Sequence, residues 1–279
     1  MLEKAELTLI KMLSKTKKVI TTPPPVLCSI ASCNYYFTEV EDCEYFHYYL
    51  CRQLKGGGME INMKIITKLE NDIASMLKYM KENNPIIIPT DTNYNLGCIP
   101  DSKEAIDKIF IYKQRPKNKP LSLFFLEPED WKKYGICKNE KLMELLIKEF
   151  WPGPLNIVID KKNAKYDYML NNVDTIALGC ISNPTWRKFM NYMGGKPLAI
   201  TSANISGTVD DMLVTKDIAI SQLGNCVDYF LESEQPIHTS KSSTIVLVKK
   251  EGIKILREGD INREILMNVL CKEGYEVEQ

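Results

Sequence analysis

From Met63 onward the chain switches between two spacings of apolar residues. A short strand at Lys64-Ile65-Ile66 leads into Ile73, Met76-Leu77 and Met80, whose three-and-four spacing predicts a helix from Glu70 to Lys81. Pro85-Ile86-Ile87-Ile88 is a short apolar run of the kind a buried strand requires, and Pro89-Thr90-Asp91-Thr92 ends it. A second helix is predicted from Lys103 to Lys113, with Asp101 or Ser102 as its N-cap. Leu121 to Phe125 reads as a strand and Lys141 to Phe150 as a helix, halted by the rigid turn Trp151-Pro152-Gly153-Pro154. Strands follow at Leu155 to Ile159 and Thr175 to Leu178, then a helix from Pro184 to Met193. Leu198 to Thr201 is another buried strand, Thr215 to Leu223 a helix closing at Gly224. Thr244 to Val248 and Ile253 to Leu256 form strands joined at Glu251-Gly252. Helices and strands alternate through short connections, so residues 63–270 read as one α/β domain, with 271–279 a short charged tail too small for a second domain.

The first 58 residues read differently. Leu2 to Lys18 has a weak amphipathic spacing that Pro23-Pro24-Pro25 stops, and a Cys-bearing aromatic stretch runs from Asn34 to Tyr49. Cys28, Cys33, Cys43, His47 and Cys51 are chemically suited to zinc, but they lack the tight two-residue separation of zinc knuckles. Lys55-Gly56-Gly57-Gly58 before Met59 is what a purine-rich ribosome-binding site gives when translated. Residues 1–58 are therefore expected to be an atypical extension, non-native or disordered, with Met59 or Met63 as the natural start. A peptide from residues 1–50 in native cells would overturn that expectation.

Composition narrows the class only modestly. The 279 residues are 44% hydrophobic, enough for a sizeable core, and 36 basic side chains balance 36 acidic ones. The total therefore gives no sign of a strongly basic nucleic-acid binder, although a local basic patch remains compatible with it. Nine scattered cysteines, no secretory leader and no long apolar run point to a reduced, cytoplasmic protein without a membrane span.

Four segments carry candidate chemistry, all at strand ends or loops. Pro89-Thr90-Asp91-Thr92-Asn93-Tyr94 presents hydroxyls and a phenol after a buried strand. Lys113-Gln114-Arg115-Pro116-Lys117-Asn118-Lys119-Pro120 holds four cations, of which Arg grips phosphate bidentately and Lys acts as a point charge. Thr201-Ser202-Ala203-Asn204-Ile205-Ser206-Gly207 is a small polar loop able to meet an anion through hydroxyls and backbone N–H groups. Ser242-Ser243-Thr244 is followed, after a hairpin, by Arg257-Glu258-Gly259. Taken singly, each has a plainer explanation: an Asx turn, a solvated charge run, a self-satisfied loop or a strand start.

Their order is more specific. Pro-Thr-Asp-Thr-x-Tyr, Lys-x-Arg-Pro, Trp-Pro-Gly-Pro, Thr-Ser-Ala-Asn-x-Ser-Gly, Ser-Thr-x-Val and Leu-Arg-x-Gly together resemble the YrdC-like threonylcarbamoyl-AMP synthases over about Met63 to Ile261. The resemblance implies a twisted open mixed sheet with flanking helices and one large basic concave groove. It also implies a reaction: threonine's amine captures bicarbonate as a carbamate, whose oxygen attacks the α-phosphate of ATP and releases pyrophosphate. Partner proteins then transfer the threonylcarbamoyl group to adenosine 37 of tRNA. By the same resemblance Lys113 and Arg115 are catalytic. They bind nucleotide together with Ser202, Asn204, Ser243, Thr244 and Arg257, while Thr90, Thr92 and Tyr94 face threonine. Mg2+ is expected with the triphosphate, without a dedicated protein metal site. The absence of a Cys-His or Ser-His pair agrees with chemistry done by positioning and charge neutralisation.

Three positions depart from the family pattern. Phe124 stands where many synthases carry His, Gly179 where they carry an Arg, and Asn95 where Gly is usual. The first two family residues are associated with the amino acid, so a bound carboxylate loses a charge-assisted bond here. This opens a second class of function, a YciO-like protein binding double-stranded RNA or a nucleotide without synthesis. A third reading is a carbamoyl-transfer module like those fused into hydrogenase-maturation proteins, although the large extra domains of those proteins are missing. Retention of Lys113, Arg115, Ser202 and Asn204 together favours the synthase.

Overall fold

A computed structural model of the chain describes residues 63–209 and 213–279. The expectations for residues 1–58, including the candidate zinc ligands, lie outside the described residues.

The elements run β1 (Lys64–Ile66), α1 (Leu69–Lys81), β2 (Ile86–Pro89), β3 (Tyr94–Cys98), α2 (Lys103–Tyr112), β4 (Ser122–Phe125), α3 (Trp131–Tyr134), β5 (Gly135–Ile136), α4 (Glu140–Phe150) and β6 (Leu155–Lys161). They continue with α5 (Asp167–Leu170), β7 (Thr175–Cys180), α6 (Pro184–Tyr192), β8 (Leu198–Ser202), α7 (Lys216–Leu223), β9 (Tyr229–Leu231), β10 (Thr244–Val248), β11 (Gly252–Arg257), α8 (Arg263–Leu270) and β12 (Glu276–Glu278). Local chemistry fixes the helix starts. Ser102 caps α2 by accepting the Ala105 N–H at 3.1 Å, and Asn139 caps α4 through Leu142 N–H at 3.0 Å. Asn183 caps α6 through the N–H groups of Thr185 and Trp186, with Pro184 in the first turn where its missing N–H is no loss.

Twelve strands form one mixed sheet in the order β1-β9-β2-β3-β8-β4-β7-β6-β10-β11-β12, with β5 paired to β6. The antiparallel run β2-β3-β8-β4 lies at its centre. Seven elements were not foreseen in the sequence: β3, α3, β5, α5, β9, α8 and β12. β3 escapes because Asn95 and Gly97 break its apolar run, and both are poor strand formers. Residues 271–279, read as a charged tail, hold a short 3-10 turn and then β12, which pairs with β11 in parallel.

One face of this sheet is treated in two ways. Toward β2, β3, β8 and the far end of β4, Ile86, Ile88, Ile200, Leu198 and Phe124 are buried in a core with Leu69, Met76 and Met80 of α1 and Trp186, Phe189 and Met190 of α6. Toward β7, β6 and β10, most residues on the same face are half-exposed, namely Ser122, Thr175, Ala177, Val158, Asp160, Ile245 and Leu247, while Asn156 is buried. The pairings Ser122↔Ala177, Ala177↔Val158 and Val158↔Leu247 show that they share a face, since opposed residues point the same way. Their strand neighbours Leu123, Leu178, Ile157 and Val246, on the opposite face, are fully buried. The open half is the floor of a groove.

Candidate active site

Lys113 and Arg115 are separated by a helix terminus. Gln114 adopts a left-handed conformation (φ 49°), its N–H bonds Ile111 O at 3.0 Å, and the Arg115 N–H bonds Phe110 O at 2.8 Å. This is a Schellman closure of α2, and it sends the two cations in different directions. The Lys113 side chain is 1% exposed. Its ammonium donates to Ser202 O, to Asn204 O at 2.5 Å and to Asn204 Oδ1 at 3.4 Å, while Lys113 O accepts from Ser206 N at 2.8 Å. The end of α2 and the loop after β8 are thereby sewn together. Burial, with Arg115 nearby, pushes the Lys113 pKa down to about 7.

Arg115 turns onto its own loop, donating from Nε to Lys119 O at 2.9 Å and from Nη2 to Pro120 O at 2.8 Å. Burial lowers its pKa to about 10. Ser202 Oγ donates to Asn204 Oδ1 at 2.6 Å, and Asn204 Nδ2 donates to Ile205 O at 2.8 Å, so the predicted trio Lys113, Ser202 and Asn204 is one network.

Ser243, Thr244 and Arg257 form a second knot. Arg257 Nε donates to Ser243 O at 2.9 Å. Thr244 is fully buried, its hydroxyl donating to Ile261 O at 2.6 Å and accepting from Gly259 N at 2.9 Å. A Cβ on Gly259 would lie 2.2 Å from Ser242 O, so that glycine is required by the close approach of two backbones. Thr244 is thus spent on holding the strand start. Ser243 Oγ lies 3.1 Å from Thr92 Oγ1, and Asn93 Nδ2 donates to Ser242 Oγ at 3.0 Å, which brings the turn after β2 to this knot.

The turn itself is held from inside. Thr90 Oγ1 donates to Asn93 O at 2.7 Å and accepts from the N–H groups of Thr92 and Asn93. Asp91, quoted within the motif but not singled out, receives Ser182 Oγ at 2.7 Å and the N–H groups of Ser182 and Asn183. Burial still raises its pKa. Asp91, Ser182, Asn183, His238, Thr239 and Asp260 are among the walls of a cleft of about 350 Å³. Tyr94 is not brought to the Ser202 side. Its hydroxyl accepts from Ser233 N at 3.3 Å and its ring packs 4.7 Å from Phe230, whose partner Ile87 lies on the face opposite Ile88. The next residue, Asn95, pairs with Ser202 and shares its face. The two networks meet there, because Tyr94 O accepts the Ala203 N–H at 2.9 Å.

Phe124 and Gly179, noted separately as departures, are cross-strand partners. A Cβ on Gly179 would stand 2.7 Å from Phe124 Cε1, and the same ring meets Trp186 edge-on at 6.1 Å. The ring occupies the space above the glycine, so the two departures are one packing unit. Among the described residues no three His, Cys, Asp or Glu side chains gather as a metal site, and no helix is long and apolar enough to cross a membrane.

A family model covering Sua5, YciO and YrdC proteins, described as "Telomere recombination", matches residues 78–259. A putative threonylcarbamoyl-AMP synthase of Methanocaldococcus jannaschii is 30% identical over 203 residues, covering 71% of this chain and 93% of that protein. A threonylcarbamoyl-AMP synthase of Vibrio campbellii is 32% identical over 190 residues, 67% of this chain and 99% of the relative. The crystal structure of P. abyssi Sua5 complexed with L-threonine shares the fold at a TM-score of 0.65 and 24% identity, covering 75% of this chain. The match spans 59% of that protein's length.

Proposed function

The chain belongs to the Sua5/YciO/YrdC family, and on that premise we propose that it is an L-threonylcarbamoyladenylate synthase, a nucleotidyltransferase acting in the cytoplasm. Threonine's amine and bicarbonate condense to an N-carboxylate with loss of water. The carbamate oxygen attacks the α-phosphorus of ATP, the bond to the β-phosphate breaks, and pyrophosphate leaves. The mixed anhydride then serves the t6A modification at position 37 of tRNA through separate threonylcarbamoyl-transfer proteins. The names of the relatives support the substrate class, and the observation that carries the reading is the Lys113–Ser202–Asn204 network at the edge of the open sheet half.

The reaction needs no covalent nucleophile. It needs negative charge held in place, and fixed donors in a sheltered groove supply that without reorganising. Lys113 fixes the 202–206 loop beside the carbamate and the α-phosphate. Arg115, Ser243 and Arg257 serve the phosphates, and Thr92 faces the amino acid. Thr90, Tyr94 and Thr244 act one layer behind, shaping the turns. Mg2+ enters with the triphosphate, held mainly by phosphate oxygens and water, as this ion prefers.

Pyrophosphate release from ATP with bicarbonate and magnesium tests this, comparing L-threonine, L-serine and no amino acid. Threonine-dependent release that falls at least a hundredfold in Lys113→Ala and Arg115→Ala is expected. Release that ignores the amino acid, or no release while RNA or nucleotide still binds, overturns the reading.

A further inference from the structure

Three buried side-chain atoms among the described residues lack a hydrogen-bond partner: Asn95 Oδ1, Trp186 Nε1 and Ser206 Oγ. Trp186 lies inside the covered core. Asn95 lies on its border, 8% exposed, as the second residue of β3. Its ladder partners are Ile88 on one side and Ser202 on the other. Opposed residues on antiparallel strands hold their Cβ atoms about 5 Å apart on one face, so the Asn95 amide stands beside the Ser202 hydroxyl. That hydroxyl has one hydrogen and gives it to Asn204 Oδ1. Ile88 has none to give. The carbonyl of Asn95 is therefore an acceptor without a donor, at the point where the covered half of the sheet gives way to the groove.

Buried polar atoms of this kind are few in folded proteins, and each is unfavourable until something satisfies it. We propose that Asn95 is a specificity-determining residue of the groove, its side-chain carbonyl accepting a hydrogen bond from an N–H or O–H of the amino-acid substrate. The inference rests on the synthase reading above. Of the groups that meet beside Ser202 in that reaction, phosphate and carbamate oxygens offer only acceptors. The amino acid brings donors, its amine and its hydroxyl. A site that leaves a polar group unpaired without the right substrate discriminates strongly against analogues lacking the matching donor.

The test uses the full chain as wild type, Asn95→Leu and Asn95→Gly, the second guarding against poor packing of the first. The readouts are the thermal midpoint without substrates and the KM values for L-threonine, L-2-aminobutyrate and ATP. Removing an unsatisfied acceptor should leave the substrate-free midpoint unchanged or higher, whereas the threonine KM should rise at least tenfold at constant ATP KM. Were the donor the hydroxyl, the preference for threonine over 2-aminobutyrate would vanish in the variants. Were it the amine, the KM values of both amino acids would rise together. A lowered midpoint with an unchanged threonine KM means internal solvent satisfies the amide and overturns the proposal, as does a rise confined to the ATP KM. Wild type without threonine-dependent turnover defeats the synthase reading and this inference together. Wild-type turnover indifferent to Asn95 defeats this inference alone.

Discussion

Two halves of one sheet face, built from the same alternating strands, are put to opposite uses. On β4, Phe124 points into the core beneath α6, and two residues earlier Ser122 points into the open groove. The covered half is filled with large side chains that meet two helices. Among the described residues, the open half carries Ser, Thr, Ala, Val, Asp, Ile and Leu at half-exposed positions. Stability and the proposed function are separated along a strand. The border runs through Asn95 and Ser202, where the polar network of Lys113 begins.

The comparison predicts that substitutions of similar size have very different costs on the two sides. The largest effect belongs to Phe124, which is 3% exposed and packs on both Trp186 and the Gly179 backbone. Phe124→Ala should destabilise by about 3–5 kcal/mol, the range for emptying a buried aromatic site, as measured by urea unfolding. Next comes Gly179→Ala, which forces a methyl against the Phe124 ring and should cost about 1–3 kcal/mol, as overpacking does. The two are coupled. In a Phe124→Leu background the penalty of Gly179→Ala should shrink, and a double-mutant cycle with no interaction energy would show that the ring and the glycine are not one unit.

How much of this was readable beforehand differs between the halves as well. Apolar runs such as Ile86-Ile87-Ile88 announce the covered half, and the order of polar motifs announces the family. β3 stayed hidden because a strand that borders a groove carries Asn95 and Gly97 where a buried strand would carry apolar residues. In the sequence Lys113 is a point charge suited to phosphate. Its actual partners are carbonyls of the 202–204 segment, some ninety positions on, which only the packing of α2 against the loop after β8 could reveal. Strand alternation, in the register that β3 takes against β8, turns Tyr94 away and leaves Asn95 facing Ser202. Phe124 and Gly179 looked like two independent losses because cross-strand register is absent from a linear pattern.

A smaller effect concerns the cation at the border. The folded-state pKa of Lys113 is lowered to about 7 by burial, below that of an exposed lysine near 10.4. Between those values the unfolded chain binds the extra proton and the folded one does not, so stability should rise with pH over that window and be least below it. Turnover should move the other way above pH 7, as the neutral amine gives up one of its donations to the 202–204 segment. Unfolding midpoints at pH 7 and pH 9 check the sign. Lys113→Met should remove the rise, and a rise of the same size in that variant would place the responsible group elsewhere.

The smallest expected change in stability sharpens the comparison most. Val158 is half-exposed on the open half, opposite Ala177 and Leu247, and its backbone is held by β7 and β10 on both sides. Val158→Thr keeps the shape and the β-branching, so the strand is undisturbed. At a core position the buried hydroxyl would be costly. On a groove floor open to water it should change the unfolding free energy by no more than about 0.5 kcal/mol, as surface substitutions do. The floor is nonetheless where the apolar surface of a bound nucleotide or amino acid would rest, so a severalfold rise in one substrate's KM should accompany the unchanged stability. A loss of stability approaching that of Gly179→Ala would mean that the open half is packed like the covered one, and that this face of the sheet has one function rather than two.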